Sequence, residues 1–399
     1  MRHADQDPDD DGLVTDRTRR AFLQKAAAAA ALAGLGAGPI AAAQEAARLA
    51  SKEKTGKSKA PKKLTILILG GTRFLGPQVV DAARKHGHTL TLFNRGKTHP
   101  GLFPDIEKLQ GDRDGNLKAL EGRKWDAVVD TSGYVPRVVR ASADLLKDAV
   151  QQYVFVSTIS VYAKAEKPGM DESGPVATIA DPTNESVKEN YGALKALCEG
   201  AAEQSMPGRV TNVRPGLIVG PGDPTDRFTY WPVRVARGGE VLAPGTPADP
   251  VQYIDVRDLG DWIVKAIEDR TVGVYNAVGP KTELGIGGLL DACNATGGGK
   301  ATFTWADAAF LDEQKVAAWS DMPVWVPPIG EDAGFSRISS GRAIGRGLTF
   351  RPVEETTRAT LEWFRTEPAE HQAKLTSGLS PEREAEVLAA WHARQAQKG

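Results

Sequence analysis

Residues 64–76 read LTILILGGTRFLG. The apolar run Leu64–Leu69 shows no strict alternation. It fits a strand buried on both faces, as in the middle of a parallel sheet. Glycines end the run. Leu75, Val79, Val80 and Ala83 then recur at helical spacing up to a stop at Gly87. Glycines at such a strand–helix turn allow tight reversal, close approach of the backbone to a phosphate, and close helix–strand packing. Gly70 and Gly76 hold the outer places of a G-x-x-G-x-x-G pattern, and Arg73 holds the middle one. Gly70, Gly71, Thr72, Arg73, Phe74, Leu75 and Gly76 are therefore candidate dinucleotide-binding residues. A pyrophosphate would meet the free N–H groups at the helix start, with the Arg73 guanidinium leaning over it. Taken alone, the turn also fits a plain strand–helix connection.

Further along, HTLTLF (88–93), DAVVD (126–130) and YVFVS (153–157) read as strands, and VVRASADLLKDAV (138–150) as a helix. Alternating strands and helices predict an α/β fold, a Rossmann-type doubly wound parallel sheet with a smaller C-terminal substrate lobe. Its ligand should lie beyond the carboxyl ends of the strands. Residues 64–225 are the expected dinucleotide domain. Residues 226–399 should supply mainly the substrate lobe and C-terminal helices, with 251–279 returning to the sheet.

After the second strand comes FNRGKT (93–98). An NAD-preferring chain usually places an acid near Asn94 to hold the ribose hydroxyls. Here Asn94 is followed by Arg95 and Lys97, whose charge suits the 2′-phosphate of NADP. NADP is thus expected over NAD, and a solvated Arg95 is the plainer alternative. Asp112, in GDRDG (111–115), could accept from the adenine amino group or only close a turn. Arg113 beside it joins the cofactor-binding set.

Two stretches carry the chemistry: YVFVSTISVYA (153–163) and ENYGALKALCE (189–199). Tyr191 and Lys195 stand four apart and share a helix face. Free tyrosine, with a pKa of about 10, is too weak an acid to be a base near neutrality. A nearby ammonium and an oxidised nicotinamide would both favour phenolate. Phenolate could take the proton of a substrate hydroxyl while hydride leaves the same carbon. Thr158 would fix and polarise the reacting oxygen, and Lys195 could also bind the nicotinamide ribose.

With GGTRFLG, VSTISVYA, YGALK, VRPGLIVGPGD (213–223) and VQYIDVRDL (251–259), the chain resembles an extended short-chain dehydrogenase/reductase of the NAD-dependent epimerase/dehydratase group over about residues 64–350. The resemblance implies Thr158, Tyr191 and Lys195 as the catalytic set. Two departures stand out. Arg73 replaces the middle glycine, as in relatives that resemble chloroplast stem-loop RNA-binding proteins. Sugar-nucleotide epimerases typically carry R-D-Y-I-H-V, whose arginine binds the substrate diphosphate. The matching stretch here is Val251-Gln252-Tyr253-Ile254-Asp255-Val256, which argues against a UDP-sugar. In the substrate lobe Arg227, Tyr230, Trp231, Arg234 and Gln252 are candidate contacts, with packing an equal alternative for the aromatics.

At the other end, Thr18-Arg19-Arg20-Ala21-Phe22-Leu23 and Lys25 precede an Ala/Gly tract. The tract ends at Ala41 and Ala43 as an A-x-A-like cleavage site. This resembles a twin-arginine signal peptide over residues 1–43, and it predicts use of the twin-arginine export machinery and a periplasmic or extracytoplasmic location. Leu, Ile and Phe are too sparse there for stable membrane insertion. Residues 44–63 read as a solvated, lysine-rich linker. The 50 basic and 51 acidic residues nearly cancel, so charge offers no case for nucleic acid. No histidine has HExxH-like spacing and no metal is expected; His86 and His88 read as turn residues. Cys198 reads as a core residue. The expected function is an exported NAD(P)-dependent oxidoreductase or epimerase acting on a secondary alcohol of a small, sugar-like substrate, with its cofactor tightly bound. The alternative is a non-catalytic cofactor-binding protein related to RNA-binding members of the family.

Overall fold

The computed structural model describes residues 63–397; the export segment and nearly all of the linker lie outside them. Seven parallel strands form the central sheet in the order β10-β6-β5-β4-β1-β2-β3. They are β1 (Thr65–Leu69), β2 (Thr89–Asn94), β3 (Glu107–Gln110), β4 (Ala127–Asp130), β5 (Gln152–Val156), β6 (Val210–Pro215) and β10 (Gly273–Ala277). The order reverses between β1 and β4, which opens a crevice at their carboxyl ends.

The apolar run of β1 is explained by burial on both faces. Ile66 and Ile68 pack on one side with Val79, Val80, Leu259 and Trp262. Leu67 and Leu69 pack on the other with Val139, Leu146, Phe155 and Cys198. Helices α1 (Leu75–Lys85), α2 (Pro136–Leu146), α3 (Val187–Ser205) and α5 (Val256–Glu268) cover these faces, and the short α4 (Tyr230–Ala236) lies outside them. Helix α2 starts two residues before the expected Val138, because Pro136 sits at its first turn, where its fixed φ and missing N–H are no handicap.

The remaining strands form two small sheets. β9 (Pro250–Asp255) lies between β7 (Ile218–Val219) and β11 (Gly279–Gly285), and β8 (Gly239–Pro244) pairs with β12 (Ala301–Ala306). Within 251–279, therefore, α5 and β10 belong to the large sheet, whereas β9 does not. A separate core lies under the small sheets, built on Trp231, Leu242, Ile286, Cys293, Phe310 and Trp325. Both cysteines are buried and unbridged.

His86 and His88 do more than turn the chain. Both rings meet Glu268 Oε1, at 3.0 and 3.1 Å. The Leu64 N–H donates to His88 Nδ1 at 3.3 Å, so the Nε2 of neutral His88 carries the proton and donates it to Glu268. Three possible metal-ligand atoms do meet here within 4.8 Å. The three side chains form a hydrogen-bonded corner joining α1, β2 and α5. Among the described residues no helix is long and apolar enough to cross a membrane.

Candidate active site

Two cavities meet at the carboxyl end of the sheet. The larger, of about 680 Å³, runs along the crevice past the glycine turn, Arg95, Asp112 and Lys195. The smaller, of about 280 Å³, lies between the end of β5, the start of α3 and the segment around Trp319 and Phe335. Phe74, Ser157, Tyr191, Ile218 and Thr225 line both and form a shared seam.

The glycine turn leaves room for a ligand by bringing backbone close to backbone. Gly70 and Gly71 have φ of 107° and 92°, a region that favours glycine. A Cβ on Gly70 would stand 2.5 Å from Thr131 Oγ1, and one on Gly76 would stand 2.5 Å from Gly71 Cα. Thr72, Arg73, Phe74 and Leu75 line the groove beside them, while Gly76 serves the helix–turn contact. Phe74, just ahead of α1, has φ 33° and ψ −88°. Such a conformation costs about 1–3 kcal/mol in a non-glycine residue, and here it belongs to a side chain on the seam.

Asn94 ties its loop inward: its amide donates to Gly70 O at 3.3 Å, and its Oδ1 accepts from Gly96 N at 2.9 Å. Arg95 and Lys97 line the groove beyond it. Asp112 also lines the groove, but one carboxylate oxygen already accepts from Asp114 N at 3.0 Å. Arg113 touches the groove wall with its guanidinium committed elsewhere: it forms a fork on Asp130 at 2.5 and 2.7 Å and donates to Ser142. Its main work is therefore to neutralise a fully buried carboxylate of β4.

At the seam, Thr158 follows β5 and caps a single turn, accepting from Ser160 N at 3.1 Å. Tyr162 anchors that turn by donating to Asn276 Oδ1 at 2.7 Å. Opposite, α3 is kinked at Asn190, whose φ and ψ are −128° and 23°. Tyr191 follows the kink directly and is half-buried. Burial pushes its phenol up, and the Thr158 hydroxyl and the Arg227 guanidinium pull it back. Ser157 Oγ is buried at the same seam with no hydrogen-bond partner.

Lys195 departs from the simple expectation of an ammonium laid against the phenol. Its Nζ donates to Gly133 O and Val156 O, both at 2.7 Å, and lies 4.2 Å from the Phe155 ring centroid. Burial pushes it down to about 8. Two of its three N–H bonds are thus committed, which leaves one for the groove it lines. Arg227, also a candidate substrate contact, is the guanidinium whose charge favours ionised Tyr191.

Arg227 does line the smaller cavity. Its Nε donates to Thr225 Oγ1 at 3.1 Å, and its guanidinium carbon lies 5.5 Å from the Trp319 ring centroid. Tyr230 and Trp231, expected beside it, are core residues at 2% and 0% exposure, and the Trp231 indole donates to Pro323 O at 2.7 Å. Their apolar bulk fills the second core. Arg234 is bound to Glu384 and to the carbonyls of Gly238 and Glu240. Gln252 lies behind the cavity wall and exchanges two hydrogen bonds of 2.9 Å with the backbone of Ile338. The lining residues missed from sequence include Trp319, Asp332, Phe335 and Ile338. They come from an irregular stretch without motif or period; its three aromatic residues, Trp319, Trp325 and Phe335, are its one visible signal.

Comparison with known proteins agrees with this architecture. The Bordetella bronchiseptica enzyme WbmH, solved with NAD+, superposes with a TM-score of 0.58 at 17% identity, over 76% of this chain and 99% of that one. A UDP-N-acetylglucosamine 4-epimerase from Bacillus cereus gives 0.57 at 16% identity, over 77% and 98%. At these identities the likeness is one of fold. The chloroplast stem-loop binding protein of 41 kDa b of Arabidopsis thaliana is 28% identical over 254 residues, 58% of this chain and 63% of the relative. The chain therefore spans less than two thirds of that relative's length. A model of one family matches residues 66–278, more than half of the chain, and by that match the chain belongs to the NAD dependent epimerase/dehydratase family.

Proposed function

We propose that this protein is an NAD(P)-dependent oxidoreductase or epimerase that moves hydride reversibly at a secondary alcohol of a sugar-like substrate. The observation that carries this reading is the seam: the Tyr191 phenol, with Thr158 beside it, stands on the wall that the two cavities share. The groove fits a dinucleotide in shape, because the glycine turn brings its backbone to the groove wall with no side chain at Gly70 or Gly71, positions of φ 107° and 92° that favour glycine. It also fits in chemistry, through the start of α1, the spare N–H of Lys195 and the unpartnered Ser157 hydroxyl. A bound NAD(P) supplies the hydride acceptor. Thr158 orients the substrate hydroxyl, and Tyr191 takes its proton as hydride leaves the same carbon, then returns the proton in the reverse step. Arg95 and Lys97 on the groove wall, without an acid at Asn94, support NADP over NAD.

We also place the protein outside the cytoplasm, on the strength of the twin-arginine pattern at Arg19 and Arg20. The twin-arginine route carries folded proteins, so a nucleotide can travel already bound. An exported enzyme has no ready pool for exchange, which favours a retained cofactor restored in each cycle, as in epimerisation. The test is to denature the purified mature protein without added nucleotide and to identify what it releases by mass spectrometry. Stoichiometric NADP or NAD is the expected result. An empty protein that consumes millimolar added cofactor one-for-one with substrate would overturn it. A second reading, a binding protein that keeps the cofactor pocket, is favoured by the name of the Arabidopsis relative. Salt-dependent binding of stem-loop RNA without turnover would establish it.

A further inference from the structure

We propose that the smaller cavity is a carboxylate subsite, in which Arg227 grips the acid group of a single, unactivated sugar acid whose reacting hydroxyl lies against Tyr191 and Thr158. The proposal rests on the hydride-transfer reading above and names its substrate class.

The first observation is an unspent guanidinium. Arg113, Arg214 and Arg351 are well shielded from solvent, and each is held by a carboxylate: Asp130, Glu199 and Asp258. Arg227 is half-buried in the cavity wall and pairs with none among the described residues. Its Nε is used on Thr225, and its two terminal nitrogens make no hydrogen bond within the described residues. Trp319 lies against the guanidinium and limits its swing. Burial lowers its proton affinity, which Asp223 and Tyr191 only partly restore. A half-buried cation held this way is only partly offset by Asp223 and is paired with no carboxylate among the described residues, so the cavity is where a direct partner can be supplied.

The second observation fixes the kind of anion. Two parallel N–H donors match the two oxygens of a carboxylate. Buried Asp223, whose Oδ2 has no hydrogen-bond partner, already offsets part of the positive charge. The site therefore suits one negative charge better than the two of a phosphate monoester. The third observation is size. At about 280 Å³ the cavity lies at the lower edge of the range of about 300–1,000 Å³ usual for drug-sized ligands. It has room for one sugar ring. Gln252, where sugar-nucleotide epimerases carry the diphosphate-binding arginine, is closed onto Ile338 by its two hydrogen bonds.

The test is calorimetric titration of the full-length mature protein, with its dinucleotide retained or added, using D-glucuronate, D-galacturonate and D-mannuronate, the three matching uronamides, and D-glucose. At least one uronate should bind roughly tenfold or more tighter than its amide, a difference that Arg227→Gln abolishes and Arg227→Lys restores in part. The acid–amide comparison on the natural protein stands even if a variant fails to fold. Equal affinity for acid and amide, or no binding of any uronate at millimolar concentration, would overturn the proposal. Nicotinamide absorbance in the same samples separates the two readings. Uronate binding with no hydride transfer sinks the enzyme reading and leaves the subsite. Turnover of neutral sugars with no preference for acids does the reverse.

Discussion

The two cavities share a wall yet are built by different means. The larger is made of backbone at strand ends: the Gly70–Gly76 turn after β1, the Asn94 loop after β2 and the Asp112 loop after β3. Each piece follows its strand within a few residues, so a short motif can specify it. The smaller cavity joins residues near 158, 191, 227 and 319–338. Only long-range packing brings these together, as where Val161 and Tyr162 meet Ile338. The first kind of site is set by local backbone conformation, and the second by long-range side-chain contact. Substitutions should therefore separate them.

The sharpest break falls on the seam. Tyr191→Phe removes the proton-transfer group while keeping the ring, and kcat should fall roughly 10²-fold or more. Dinucleotide affinity, read by calorimetry, should stay near its natural value. A parallel loss of that affinity would mean that the cavities cannot be parted at this residue. Next in size is Gly76→Ala, which drives a methyl into Gly71 backbone atoms at 2.5–2.9 Å. The backbone cannot yield as a flexible side chain would, so the expected cost is about 1–3 kcal/mol of stability, seen in thermal unfolding. The control is Gly200→Ala in α3, where the added methyl meets nothing within 4 Å. It should be neutral or stabilising by up to about 1 kcal/mol.

A smaller effect sharpens the larger cavity alone. Arg95→Asp should shift preference from NADP toward NAD by roughly tenfold, through a lost phosphate partner and added repulsion, without changing substrate KM. An unchanged preference would return Arg95 to the status of a loop cation. The smallest effect is in pH. Below about 8 the Lys195 ammonium keeps its third N–H for the groove. As pH rises through that value the proton is lost first from the free protein, and dinucleotide binding should weaken severalfold by about pH 9. Lys195→Met should bind more weakly at all pH and lose this step.

Legibility from sequence followed the same division. β1, β2, β4 and β5 lie within a residue or so of their expected bounds, because parallel strands buried in the sheet are rich in apolar and β-branched residues. The glycine turn was readable because only glycine fits where backbone meets backbone. Tyr191 stands at the seam with Thr158 beside it, whereas Lys195 was expected against the phenol and is held by two carbonyls instead. Periodicity places a lysine on a helix face but cannot say which acceptor its ammonium reaches. Tyr230 and Trp231 fit substrate contact and packing equally in sequence, and they lie in the core, because an aromatic beside a site looks the same in sequence whether it points inward or outward. Trp319 and Phe335 escaped notice altogether. They pack edge to face at 5.4 Å on a segment whose shape is set by distant contacts, and Trp319 itself has φ 71°.

The five-residue seam also bears on how such a scaffold can diversify. Among the described residues, Phe74, Ser157, Tyr191, Ile218 and Thr225 are the positions at which a change of substrate and a change of cofactor must be negotiated together. Trp319, Asp332, Phe335 and Ile338 can be exchanged without altering the walls of the dinucleotide groove. A duplicated copy could thus drift to a new sugar, or lose its sugar altogether, while the nucleotide continued to stabilise the fold by mass action. In a scaffold of this kind, inherited nucleotide binding is poor evidence for an inherited reaction, and the residues outside the seam are where a change of task would first be written.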